Sequence, residues 1–111
     1  VKPMTAHIPE VYYVITDHGR RGRETIIDWE ACSKRDVIEA LVTGQYDRPL
    51  EVHCIDREGR RWADVSEDIA REICSRVVDG DPMPVGGVFD FCEQHLGCRA
   101  MADLAREMEA A

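Results

Sequence analysis

Six arginines and a tryptophan are the residues of this 111-residue chain whose grouping most directly suggests chemistry. Arg20, Arg21 and Arg23 lie beside His18 in a stretch broken by Gly19 and Gly22, and Arg57, Arg60 and Arg61 lead into Trp62. A guanidinium is a planar fork that takes carboxylate or phosphate through paired hydrogen bonds, and arginine next to an aromatic ring suits a protein or nucleic-acid contact. Arg20, Arg21, Arg23, Arg57, Arg60, Arg61 and Trp62 are therefore the candidate partner-binding residues. Each has a plainer competing explanation: charged hairpin tips are commonly just solvated, and tryptophan is commonly a core residue.

Cys92, His95 and Cys98 form a C-x2-H-x2-C run, for which His53, Cys54 or Cys74 would have to supply a fourth zinc ligand. A second closely spaced ligand pair is missing, and Cys92 falls on the apolar side of its helix, where a free cysteine packs as a small hydrophobe. The expectation is core packing, with no metal and no cofactor. His53 and Cys54 cannot act together as base and nucleophile, because neighbours on a strand point to opposite faces. Asp64, Glu67, Asp68 and Glu72 crowd one short span, yet helix starts are commonly acidic and Arg71 and Arg76 lie nearby, so a solvated face is expected rather than an acid/base pair. No catalytic residue is assigned.

The elements that position these groups are organised around Gly44 to Gly80. Leu50, Val52 and Cys54 alternate with Glu51, His53 and Ile55, as a strand with one covered face requires. Asp56 to Gly59 turns the chain, Trp62 and Val65 lie in a short return strand, and Ser66 is placed to cap a helix whose buried stripe is Ile69, Ala70, Ile73, Val77 and Val78. Gly80 and Pro82 stop it. Upstream, Glu10 to Thr16 reads as a well-covered strand returning through Thr25 to Asp28. Ser33 with Asp36 opens a helix carrying Val37, Ile38, Leu41 and Val42, which Gly44 ends. Downstream, Val88, Phe89, Cys92 and Leu96 mark a third helix stopped by Gly97, and Met101, Leu104, Ala105 and Met108 mark a fourth. The sum is an α+β fold of one domain, residues 1 to 111: an antiparallel sheet of two hairpins with helices packed on it, in the order β-β-α-β-β-α-α-α.

Gly44-Gln45-Tyr46-Asp47-Arg48-Pro49, followed by Asp64-Val65-Ser66-Glu67-Asp68-Ile69-Ala70-Arg71-Glu72, resembles a group of small uncharacterised bacterial proteins. The resemblance implies a bacterial origin and brings no activity with it.

Composition narrows the function classes. The net charge is −8, and residues 63 to 111 hold 11 acidic against 4 basic side chains while residues 1 to 62 are nearly balanced. Such a chain is repelled by nucleic-acid phosphate at long range. An odd count of five cysteines without framework spacing points to reduced thiols, and no apolar run approaches membrane-spanning length. A cytoplasmic protein without a signal peptide is expected. These observations together point to a small acidic binding or regulatory module that is not an enzyme and acts by protein contact, in its narrower form an inhibitor or mimic directed at a basic partner. Nucleic-acid binding through the arginine-bearing hairpins is the alternative, and a small enzyme or zinc protein the third reading.

Overall fold

Two eight-residue strands with strict alternation set the architecture. In the computed structural model, which describes residues 10–17, 23–26, 33–56 and 61–110, β1 (Glu10–Asp17) and β3 (Pro49–Asp56) pair antiparallel at the centre of a sheet. The shorter β2 (Arg23–Ile26) and β4 (Arg61–Asp64) add at its edges, giving the order β2-β1-β3-β4. Among the described residues, four helices follow or intervene: α1 (Lys34–Val42), α2 (Ser66–Val78), α3 (Gly86–Leu96) and α4 (Cys98–Ala110). The chain is thus α+β, with helices on an antiparallel sheet. None of its described helices is long and apolar enough to cross a membrane.

One face of the sheet and all four helices make the core. Tyr12 and Val14 from β1 and Val52 and Cys54 from β3 meet Val37 and Leu41 of α1, Ile69 and Ile73 of α2, Phe91 and Cys92 of α3, and Met101 and Leu104 of α4. Burial of each large aliphatic chain there contributes about 1.5–3 kcal/mol. Ion pairs bridge α1 and α2 at the rim: Lys34 Nζ reaches Asp68 and Glu72 at 2.8 and 3.1 Å, and Arg76 reaches Glu39 at 2.8 Å and also Asp81, just after α2, at 2.8 Å. The Ser33 hydroxyl accepts from the Asp36 N–H as a cap should, and Gly44 ends the turn after α1 with φ 81°.

Four local expectations need correction. Val78 does not belong to the buried stripe of α2: it is 51% exposed, because it sits about 100° around the helix from the buried Val77 and so faces solvent. Ser66 does not cap α2 from outside; it is the first helical residue, with 1% of its surface exposed, and the residue before it, Val65, stands at the cap position rather than in a strand. The capping acceptor is Asp64, whose Oδ1 takes the Ser66 N–H at 2.9 Å. In α3, Phe91 rather than Phe89 is buried, because the helix is rotated so that Val88 and Cys92 turn toward the core beside α2 while His95 reaches β3 through its bond to the Leu50 carbonyl. The return strand β2 starts earlier than Thr25; Asp28, like the rest of 27–32, lies outside the described residues. α3 also comes unusually close to the turn before β3: a Cβ on Gly87 would lie 2.0 Å from the Asp47 carbonyl oxygen.

Candidate functional site

The period-two geometry of β3 sends Val52 and Cys54 into the core and leaves Glu51 and His53 on the opposite face. The antiparallel register then assembles a cluster around His53. Tyr13 of β1 stands directly across on one side, Asp64 of β4 directly across on the other, and Trp62, paired with Ile55, lies diagonally next to Asp64. Cross-strand neighbours at such spacing are within reach of one another's side chains.

Hydrogen bonds fix the protonation pattern of the imidazole. The Trp62 indole Nε1–H donates to His53 Nδ1 at 2.7 Å, and His53 Nε2 lies 2.8 Å from Glu51 Oε1. An indole nitrogen can only donate, so Nδ1 is the acceptor and the proton of the neutral ring sits on Nε2, from which it donates to Glu51. Asp64 Oδ2 is 4.0 Å from the same Nε2. The three rings pack on each other as well: Tyr13 stacks on His53 at 5.8 Å, and Trp62 meets Tyr13 and His53 edge-on at 5.2 and 5.5 Å. Trp62 is nevertheless 62% exposed, whereas Tyr13 is 3% exposed with a hydroxyl that has no hydrogen-bond partner among the described residues. Burial raises the Tyr13 phenol above its ordinary value.

Asp64 joins this cluster to the core. Burial alone would raise its carboxyl, but hydrogen bonds from the Ser66 hydroxyl and backbone N–H, helped by His53 and His95, bring it below the ordinary carboxylate range. Ser66 Oγ accepts from the Val52 N–H at 2.9 Å and donates to Asp64 Oδ1 at 2.5 Å. The order along this chain of groups is serine, carboxylate, imidazole. A hydrolase needs the imidazole in the middle to take the serine proton, so this arrangement orients and caps rather than activates a nucleophile.

The other sequence candidates are dispersed. Cys92 is buried, and removal from water beside Cys74 pushes its thiol up to about 12. His95 Nε2 donates to the Leu50 carbonyl at 2.7 Å while its ring packs on Phe91, and Cys98 is exposed at the start of α4. The C-x2-H-x2-C run is therefore spread over a core position, a sheet contact and solvent. Cys54 points into the core, away from His53. Asp68 and Glu72 pair with Lys34, and Glu67 with Arg71 at 3.1 Å, which accounts for the acidic span at the start of α2.

Of the partner-binding candidates, Arg20, Arg21, Arg57 and Arg60 lie outside the described residues. Arg23 and Arg61 are placed by their backbones: Arg23 pairs with Asp17 at one end of β1, and Arg61 pairs with Asp56, which faces Glu10 at the other end. The two strand ends that carry the arginine stretches are thus separated by the length of β1, about 23 Å at roughly 3.3 Å per residue. Trp62 is placed and exposed. Sequence reasoning did not connect Glu51, His53 and Asp64, although alternation already put Glu51 and His53 on one face; only the register of β4 brings Asp64 opposite them. Among the described residues, this is the one group of three metal-ligating side chains whose ligand atoms lie within 4.8 Å of one another.

A second concavity, of about 250 Å³, opens between α1, α2 and the Pro82–Pro84 segment and is lined chiefly by Leu41, Val42, Ile73, Val77, Met83 and Val88. Its one carboxylate, Asp81, is held by Arg76, so the lining offers shape and no chemistry. Comparison with known proteins finds no match to this chain among family models, curated proteins or solved structures.

Proposed function

We propose that this protein is a small cytoplasmic binding or regulatory module that acts through protein contact, with Trp62 as the anchor of its contact surface. One observation carries the reading: Trp62 is 62% exposed and yet hydrogen-bonded to His53 and in edge contact with Tyr13. An exposed side chain that is ordered in advance loses little freedom on binding, and tryptophan is among the residues that dominate interface energies. The reading takes the sheet as two hairpins joined through β1 and β3, with Trp62 on an edge strand beside the arginine stretch at Arg57, Arg60 and Arg61. The carboxylates of residues 63 to 111 favour a partner with a basic rim, as an inhibitor or mimic would require.

The test is affinity capture from the source cell, followed by titration of the purified partner against wild type and Trp62→Ala. The expected loss is about 10-fold or more, together with slower association as salt is raised. Equal affinities would remove Trp62 from the contact. Binding of DNA or RNA that weakens steeply with salt, and survives Trp62→Ala, would instead favour the arginine-bearing hairpins as a nucleic-acid site.

A further inference from the structure

We propose that Glu51, His53 and Asp64 form a binding site for a divalent transition-metal ion, with zinc as the reference case, and that Trp62 leaves His53 when the ion enters. The ligand atoms are nearly placed. His53 Nε2 lies 2.8 Å from Glu51 Oε1 and 4.0 Å from Asp64 Oδ2. Around a tetrahedral ion with ligand bonds of about 2.1 Å, ligand atoms stand about 3.4 Å apart, so the two observed separations bracket the required one. Two ligands come from alternate residues of β3 and the third from the residue paired with His53 on β4, and all three ligand atoms lie within 4.8 Å of one another.

The donor set suits the ion class. One imidazole nitrogen and two carboxylate oxygens match zinc, manganese or ferrous iron better than magnesium, which prefers oxygen alone and gives up its water reluctantly. The Asp64 side chain is half exposed, which provides an entry path, and its other oxygen is already held by Ser66, which fixes the carboxylate's direction. Tyr13 stacks on the imidazole from β1 and fixes the plane of the ring whose nitrogen would bind.

The role of Trp62 follows from the proton count. Without an ion, Nε2 carries the ring proton and Nδ1 accepts from the indole. An ion must take the Nε2 lone pair, so the proton of the neutral ring moves through solvent to Nδ1, with no net proton gained or lost. Nδ1–H then faces the indole N–H, donor against donor, and their hydrogen bond breaks. Trp62, being exposed, can turn away.

Zinc alone is the probe, so the outcome does not depend on the protein-contact reading. Calorimetric titration of wild type, His53→Gln and Trp62→Phe is combined with observation of the indole N–H resonances. The expected results are one zinc site lost or weakened at least about 10-fold by His53→Gln, and tightened roughly 2- to 10-fold by Trp62→Phe, because that hydrogen bond no longer has to break. The Trp62 N–H resonance, assigned by its disappearance in Trp62→Phe, should shift along the same titration curve. Should His53→Gln fail to fold by circular dichroism, Glu51→Gln supplies the same comparison. Zinc bound equally well by the ligand variant, or no binding by wild type at millimolar zinc, overturns the site; weaker binding by Trp62→Phe overturns the displacement of the indole.

Discussion

Val52 and Cys54 point from β3 into the helix-covered core, and Val52 has no exposed surface; Glu51 and His53, their immediate neighbours, point the other way into a cluster tied by directional bonds. The inner face is held by volume. Its members are apolar, close-packed and indifferent to orientation beyond fit. The outer face is held by direction: a carboxylate, an imidazole and an indole in a line of donors and acceptors, with an exposed end. The comparison teaches that a single strand can serve stability on one side and recognition on the other, and that the two sides should respond to different perturbations, size on the inside and protons or ions on the outside.

The inner face should give the largest effect. Phe91 is 1% exposed and sits where α3 meets the sheet, so Phe91→Ala should cost about 3–5 kcal/mol in denaturant melts. A loss below about 1 kcal/mol would break the comparison by making the core tolerant of a missing ring. Ser66 stands where the two faces join, accepting from the Val52 N–H and donating to Asp64. Ser66→Ala leaves that buried N–H without its side-chain partner and should cost about 1–3 kcal/mol, read as a lowered urea midpoint at unchanged slope. No measurable change would return Ser66 to the role of an ordinary helix-start residue.

Acid should act on the outer face. Because the folded Asp64 carboxyl lies below its ordinary range, its ionised form contributes stability that is fully present above about pH 4 and is lost as pH falls through the folded value. The stability difference between wild type and Asp64→Asn should therefore narrow between pH 7 and pH 3. A difference that stays constant would mean that Asp64 acts through hydrogen-bond geometry alone. The smallest effect is expected at Trp62: Trp62→Phe removes one exposed hydrogen bond and should change stability by less than about 1 kcal/mol, measured in the same melts. A larger loss would show the outer face to be part of the folding core.

Much of the architecture was legible because alternation and helix signals are local. The antiparallel sheet, the Ser33 cap, the Gly44 and Gly97 stops, the stripe of α1 and the α2 stripe as far as Val77 follow from residues within one element. What failed needed a neighbour. Ser66 has the residue type of a cap, but its hydroxyl is claimed by Val52, fourteen residues earlier in the chain. Phe89 and Phe91 fit an apolar stripe almost equally well, and the choice is made by where α3 rests on β3 through Phe91 and the His95 bond to Leu50. The candidate site was hidden for the same reason: Glu51 and His53 belong to one strand, Asp64 and Trp62 to another, and register is a property of the pair.

The close approach at Gly87 limits how this chain can be changed. Replacing a helical glycine by alanine is a standard route to greater stability, since alanine favours the helix by roughly 1 kcal/mol. At position 87 the added carbon would collide with the backbone oxygen of Asp47 and, 3.2 Å away, crowd the Arg48 Cα, neither of which is a side chain that can swing aside. A stabilisation campaign or a library of variants guided by helix preference would select this substitution and push α3 off the turn that leads into β3. The lineage of this sequence faces the same restriction: while α3 docks there, residue 87 has no alternative to glycine, and its neighbour Gly86, with open space around it, is constrained by its backbone angle instead.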